Sequence, residues 1–111
     1  MRSAAPDFNP KNMAEIKFDL DTKSLGALYL YEEGVKIGEM VVNIADGKLT
    51  VYHTEVVPEA EGHGYAKQLL DAMVTYAREN NLKVVPLCPY VHAQFKRHPN
   101  DYADIWNKQE E

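Results

Sequence analysis

Between residues 48 and 79 the spacing of the apolar side chains changes from every second residue to every third or fourth, and the change occurs at Gly62 and Gly64. Residues 48–57 alternate as a half-buried strand does. After the glycines, apolar residues recur with helical spacing at Ala66, Leu69, Leu70, Met73, Val74 and Ala77. This pattern predicts an amphipathic helix over residues 64–79. A strand, a glycine turn and a helix therefore follow one another directly.

Three further segments with alternating apolar and polar side chains precede this point, over residues 14–21, 26–34 and 35–47. Gly34 and Gly47 lie in the turns that separate them, and turns of this kind join neighbouring strands into hairpins. Four strands that follow one another in this way predict an antiparallel meander.

After the helix, residues 82–91 predict a buried strand, which Pro86 and Pro89 place at a sheet edge or where pairing breaks. Residues 91–98 and 101–109 are interpreted as short helices. The predicted fold class is α+β, with the order ββββ-α-β-α around a mostly antiparallel mixed sheet.

The chain has 111 residues, which suits one domain. We expect that domain to span residues 13–111, after a flexible leader at residues 1–12. The formal net charge of −5 disfavours nucleic acid as a partner, because nucleic-acid binding requires a basic face. No apolar run reaches the length of about 20 residues that a membrane-spanning helix needs, so no membrane partner is expected.

The only cysteine, Cys88, excludes an internal disulfide, and a reducing, cytoplasmic location is expected. No metal site is expected, because no zinc signature fits the spacing of the four histidines, His53, His63, His92 and His98.

The glycine turn in front of the predicted helix is a candidate anion site. A helix N-terminus presents unpaired N–H groups and about half a positive charge. Glycines just before it allow a phosphate to approach the backbone. A tight strand-to-helix turn without any ligand explains the same pattern equally well. Because the turn follows an antiparallel meander and not a repeated β-α-β series, a dinucleotide-binding fold is not expected.

The residues around this turn, "VVPEAEGHGYAKQLL", resemble the acetyl-coenzyme A loop of the GNAT N-acetyltransferase superfamily. The positions that match the superfamily pattern are Val56, Pro58, Gly62, Gly64, Ala66, Leu69 and Leu70. The segments "HTEV", "LKVVPLCPYV" and "KRHP" add to the resemblance, which is to a branch of very small, single-domain members. It covers most of the chain after residue 13.

The resemblance implies an N-acetyltransferase that uses acetyl-coenzyme A as a co-substrate and an amine, such as a protein lysine, as the acceptor. It implies that the backbone of Thr54, Glu55 and Val56 runs beside the pantetheine arm and the acetyl carbonyl. It further implies that main-chain amides hold the pyrophosphate at Gly62, His63, Gly64, Tyr65, Ala66 and Lys67.

Three features depart from the superfamily pattern. Glu61 occupies the position of a usual arginine or glutamine, and its carboxylate repels a pyrophosphate if it faces one. The superfamily's N-terminal helical pair has no counterpart, since only "DTKS" lies between Leu20 and Leu25; this leaves an open groove suited to a large acceptor. Thr50 and Phe95 align with the usual catalytic carboxylate and tyrosine, and neither is a general base or acid.

Cys88 and His53 are the alternative catalytic candidates. We expect Cys88 near the thioester, where a thiol can attack the acetyl group or protonate the departing thiolate; a small buried apolar role explains it as well. We place His53 on the same face of its strand as Val51, where it can deprotonate an ammonium or be satisfied within the sheet. The absence of the usual catalytic base, the usual acid and the helical pair also fits a coenzyme A-binding module with little or no activity. A cysteine thioesterase is a third hypothesis.

Overall fold

The computed structural model of the protein describes residues 14–20 and 25–108. The predicted leader at residues 1–12 lies outside the described residues. A 3-10 turn at Pro58–Ala60 follows the fourth strand. In chain order the other elements are β1 (Glu15–Asp19), β2 (Leu25–Glu32), β3 (Val35–Ala45), β4 (Lys48–Val56), α1 (Tyr65–Glu79), β5 (Lys83–Pro86), α2 (Pro89–Arg97) and α3 (Pro99–Tyr102).

The strands form one sheet in the order β1-β2-β3-β4-β5. Strands β1 to β4 pair antiparallel, and β5 pairs parallel to β4 because α1 crosses between them. In the turns that join β2 to β3 and β3 to β4 the two central residues have positive φ, at Glu33 and Gly34 (53° and 83°) and at Asp46 and Gly47 (54° and 75°). This backbone matches the twist of paired strands. The predicted α+β fold with a mostly antiparallel mixed sheet is confirmed.

One hydrophobic core lies between the sheet and the helices. Helix α1 packs across β2, β3 and β4, with Leu69, Leu70 and Met73 fully buried. Helix α2 enters the same core through Val91 and Phe95. Each such side chain stabilises the fold by roughly 1.5–3 kcal/mol. The opposite face of the sheet carries half-buried or exposed side chains, namely Tyr29, Glu39, His53 and Glu55.

A β-bulge at Tyr52 alters the predicted alternation of β4. Val42 pairs with Val51, but Val41 pairs with His53, so Tyr52 is the extra residue. A bulge moves every later side chain to the other face. His53 therefore lies on the face opposite Val51, and the prediction that both share a face is wrong.

The strand predicted over residues 82–91 is shorter than expected. It ends at Pro86, and Pro89 is the first residue of α2. A proline cannot donate a ladder hydrogen bond, but its fixed φ suits the first turn of a helix. The edge position predicted for this strand is confirmed, since β5 is the last of the sheet.

The helix predicted over residues 101–109 is mostly absent from the described part of that range. Helix α3 ends at Tyr102, and the chain then turns back towards β5. Trp106 forms a parallel bridge with Val84, whose N–H donates to the Ile105 carbonyl at 2.6 Å. Ile105 is buried in the core and Trp106 packs against it, so this returning segment lies beside the sheet and does not continue as a helix.

Candidate functional site

A groove of about 310 Å³ lies between the end of β4, the glycine turn, the start of α1 and the start of α2. It contains seven of the nine residues predicted to contact coenzyme A: Thr54, Val56, Gly62, Gly64, Tyr65, Ala66 and Lys67. Glu55 and His63 do not line it. Ala60, Glu61 and Tyr90 complete the lining. The predicted binding residues thus converge on one cavity, apart from these two.

The glycine turn has a backbone that only glycine adopts easily. Gly62 and Gly64 have φ values of 88° and 81°, and Gly64 is the N-cap of α1. A Cβ atom at either glycine would meet no described atom within 4 Å, so both positions open onto free space. As an N-cap, glycine has no side chain to accept from the N–H groups of the first helical turn. The N–H groups at a helix N-terminus favour an anion such as a phosphate.

Beside the groove, β4 and β5 separate. Their pairing ends with Val51 and Pro86. The Cys88 N–H then donates to the Val51 carbonyl at 2.8 Å, and Cys88 becomes the N-cap of α2. The Cys88 thiol donates to the Thr54 hydroxyl at 3.3 Å and is 2% exposed. Since Thr54 lines the groove, Cys88 lies directly behind the groove wall.

Tyr90 is a groove residue that sequence reasoning missed. It lies in the first turn of α2, where the prediction placed a strand. Burial raises the pKa of its phenol, and this effect is larger than the opposing effect of the nearby Lys67. The phenol therefore stays protonated at neutral pH and can donate a hydrogen bond or a proton. Its signal in the sequence was Pro89, which marks a helix start as readily as it interrupts a strand.

Two charged side chains of opposite sign line the groove. Lys67 donates to both carboxylate oxygens of Asp71, at 3.0 and 3.1 Å, and this hydrogen bond raises the pKa of the lysine. Both partners are more than half exposed, so the pair adds little stability. A more highly charged anion in the groove can therefore replace Asp71 as the partner of Lys67. Glu61 is also exposed and lines the same groove, so the groove has one acidic as well as one basic side chain in its lining.

Replacing Glu61 with Gln is expected to tighten the binding of coenzyme A, because the change removes a negative charge from the groove. The gain should be greatest at low ionic strength, since salt screens exposed charges over about 10 Å at 0.1 M. Calorimetric titration at two salt concentrations measures it, with Glu59→Gln on the neighbouring 3-10 turn as the matched control. Equal affinity of wild type and Glu61→Gln at both salt concentrations would show that this carboxylate does not face the ligand.

His53 lies outside the groove, on the other face of β4. Its Nε2 atom lies 3.2 Å from Oε1 of Glu55, and both side chains are exposed. Glu55 also lines a smaller cavity of about 250 Å³ with Lys36 and Glu39. His53 and Cys88 thus flank Thr54 from opposite sides of the sheet.

The residues at the superfamily's usual catalytic positions have structural roles. Thr50 pairs with Asn43 on β3 and with Val85 on β5. Phe95 is fully buried, with its ring stacked on Tyr102 at a centroid distance of 4.5 Å and edge-on to Trp106 at 5.6 Å. Neither side chain lines the groove.

A larger cavity of about 680 Å³ lies elsewhere, beside the segment that follows α3. Its lining contains none of the predicted site residues: Lys83, Pro99, Asn100, Ala103, Trp106, Asn107 and Lys108. Size alone therefore does not locate the site. Among residues 14–20 and 25–108, no three His, Cys, Asp or Glu side chains are grouped to hold a metal ion. No helix in the described part of the chain is long and apolar enough to cross a membrane.

In this mixed sheet, the end of a strand and a helix N-terminus preceded by glycines line one groove. The acetyltransferases that the sequence resembles have the same arrangement. A model of the GCN5-related N-acetyl-transferase family matches residues 27–105. The match covers more than half of the chain, and the chain belongs to this family. The family generally uses acetyl-coenzyme A and an amine acceptor.

Solved structures show the same fold. A GCN5-like protein from Staphylococcus aureus is 29% identical, with a TM-score of 0.63 over 84% of this chain and 87% of that one. The ribosomal-protein-alanine N-acetyltransferase from Brucella melitensis is 21% identical, with a TM-score of 0.60 over 68% of this chain. This chain spans 62% of the length of the Brucella enzyme, and that likeness shows the fold alone. No curated protein matches the chain.

Proposed function

We propose that the protein is an acetyl-coenzyme A-dependent N-acetyltransferase that acts on an amine, such as a lysine of a protein. The observation that carries this proposal is the single groove that joins the end of β4 to the N-terminus of α1. Acetyl-coenzyme A has a long pantetheine arm and a pyrophosphate. The arm needs an extended backbone beside it, and the pyrophosphate needs main-chain amides that donate to it.

The groove supplies these features from the backbone. Beyond Val51, strand β4 has no described partner strand on the side of β5, so Thr54 and Val56 offer main-chain groups to a pantetheine arm. The amides of residues 62–67 and the helix dipole stabilise the pyrophosphate. Glu55 and His63 contribute only main-chain groups in this arrangement. The open φ-positive glycines leave the phosphates room to approach.

The chemistry is a direct transfer. The amine nitrogen attacks the thioester carbonyl, a carbon–nitrogen bond forms, the carbon–sulfur bond breaks, and coenzyme A leaves as a thiolate. One proton must leave the nitrogen and one must reach the sulfur. We infer that His53 accepts the first on the open face of the sheet, and that Cys88 supplies the second from behind Thr54. Cys88 stands at the N-terminus of α2, which favours negative charge there.

The acceptor site is open in this proposal. Strands β1 and β2 pair directly, with only residues 20–24 between them. His53 and Glu55 are both exposed on the face of the sheet opposite the core. An exposed face admits a lysine on a folded protein, whereas an enclosed pocket admits only small amines.

A second candidate function is a coenzyme A-binding module without transferase activity. The observation that favours it is the structural role of Thr50 and Phe95, which leaves the family's usual base and acid positions without reactive groups.

Incubation with acetyl-coenzyme A, with and without a lysine-rich protein, separates these functions. Thiol release that depends on the acceptor supports transfer, and acetyl-lysine in the acceptor confirms it. Release without an acceptor indicates hydrolysis, which would contradict the proposal. Binding of coenzyme A without any release would favour the module.

Replacing Cys88 with Ala is expected to lower kcat about tenfold while leaving the affinity for coenzyme A unchanged. This is less than the 10²–10⁴-fold that a general acid usually supplies, because the Tyr90 hydroxyl remains in the groove. Steady-state kinetics measure the change, and Tyr90→Phe is the matched variant that tests the remaining donor.

Mass spectrometry of the wild type with acetyl-coenzyme A distinguishes a proton donor from a nucleophile. We expect no acetyl group on Cys88. A stable acetyl adduct would show covalent transfer instead, and full activity of Cys88→Ala would exclude the thiol from the mechanism.

A further inference from the structure

We infer that the hydrogen bond between Tyr65 and Glu32 fixes the position of the pyrophosphate-binding amides, so that Tyr65 is a positioning residue for coenzyme A. This inference rests on the proposed function. Tyr65 is the first residue of α1, and its hydroxyl donates to Oε1 of Glu32 at 3.0 Å. Glu32 is the last residue of β2, 33 positions earlier in the chain.

Tyr65 anchors a turn that is otherwise exposed. Residues 61–64 and Lys67 are exposed and Ala66 is half-buried, whereas Tyr65 is only 4% exposed. Its ring belongs to the hydrophobic core, and its hydroxyl reaches the end of the β2–β3 hairpin. The buried ring and this hydrogen bond therefore join the helix N-terminus to a rigid part of the sheet.

The glycine turn needs such an anchor. Gly62 and Gly64 permit many backbone conformations, because neither has a Cβ atom. Two backbone hydrogen bonds close the turn at its ends, from the Glu61 N–H to the Pro58 carbonyl at 3.2 Å and from the Gln68 N–H to the Gly64 carbonyl at 3.1 Å. Amides that bind an anion must be held to within about 0.5 Å of their productive positions. Tyr65 provides that restraint between the two ends.

The hydrogen bond persists over the physiological pH range. Burial, together with the hydrogen bond and charge of Glu32, raises the pKa of Tyr65 to about 12. The phenol therefore keeps its proton wherever the protein functions, and the restraint does not titrate with the tyrosine.

Two ligands that differ only in the pyrophosphate end test the inference. S-acetyl-pantetheine carries the same thioester and arm as acetyl-coenzyme A but no pyrophosphate. Tyr65→Phe keeps the buried ring and removes the hydroxyl. We expect its Kd for acetyl-coenzyme A to rise about tenfold, in the range that loss of a hydrogen bond to a charged group produces, with the Kd for S-acetyl-pantetheine unchanged.

Variants of Glu32, which accepts the hydrogen bond from Tyr65, complete the test. Glu32→Gln keeps an oxygen that accepts from Tyr65, and its Kd for acetyl-coenzyme A should stay within about threefold of wild type, since a neutral acceptor retains roughly half of the strength of a hydrogen bond to a charged group. Glu32→Leu removes the acceptor and should reproduce the defect of Tyr65→Phe, which provides a second test if one variant fails to fold.

The outcomes separate this inference from the proposed function. If the wild type binds no acetyl-coenzyme A, the proposed function fails. If the wild type binds it and Tyr65→Phe binds it equally well, only the positioning role is overturned. Equal weakening of both ligands would show a general structural defect and would also overturn the inference.

Discussion

Replacing Gly64 with Asp is expected to weaken coenzyme A binding by about a hundredfold or more, because the change places a carboxylate at the helix N-terminus where phosphate should bind. A Cβ atom at this position meets nothing within 4 Å, so the fold has room for the side chain. Among residues with a Cβ atom, aspartate tolerates a positive φ such as the 81° of Gly64 comparatively well. Calorimetric titration measures the loss, and circular dichroism checks the fold.

Gly64→Asn is the matched control. Asparagine has nearly the same shape and the same tolerance for left-handed backbone, but it carries no charge. We expect Gly64→Asn to bind coenzyme A much more tightly than Gly64→Asp, which assigns the difference to charge. A folded Gly64→Asp protein with wild-type affinity would show that no anion binds at this turn.

Replacing Phe95 with Ala is expected to destabilise the fold by about 3–5 kcal/mol, the usual effect of removing a fully buried aromatic ring. The ring is 0% exposed and contacts Tyr102 and Trp106, so its loss removes the central member of an aromatic cluster and leaves a cavity. Total stability is about 5–15 kcal/mol for a protein of this kind, so the variant should be marginal. Urea denaturation measures the change in the free energy of unfolding.

Phe95→Leu is the companion variant, since it keeps much of the apolar volume and should lose less stability than Phe95→Ala. Unchanged stability of Phe95→Ala, combined with lost turnover, would contradict the structural role. That outcome would indicate that Phe95 contributes to the active site.

Periodicity predicted much of this fold because strands and helices bury their side chains at different spacings. The four alternating segments form β1 to β4, and the segment after Gly64 forms α1. The two glycines also marked the groove, because a positive φ before a helix is a local requirement that only glycine meets easily.

The features that sequence reasoning missed depend on the partner strand or on distant residues. The bulge at Tyr52 is a property of the pairing with β3, and it moves His53 to the opposite face. Tyr90 enters the groove because the chain turns into α2 at Pro89. The hydrogen bond from Tyr65 to Glu32 joins residues that no local pattern connects.

The family model and the solved structures show the family and the fold, whereas the co-substrate, the acceptor and the proton transfers of this chain are proposals. The resemblance aligns Phe95 and Thr50 with the superfamily's usual reactive groups, and in this chain Phe95 stacks on Tyr102 and Thr50 pairs within the sheet. The catalytic roles of Cys88 and His53 remain predictions. The bulge in β4 and the start of α2 place the two residues on opposite sides of Thr54.

Titration of isotope-labelled protein with coenzyme A, followed by amide chemical shifts, tests the central claim most directly. The claim is that the groove between β4 and α1 holds the ligand. We expect the largest shifts at the amides of residues 62–67, with further shifts at Thr54 and Val56. Small shifts at these amides, with the largest changes around Trp106 and Lys108 in the larger cavity, would contradict it.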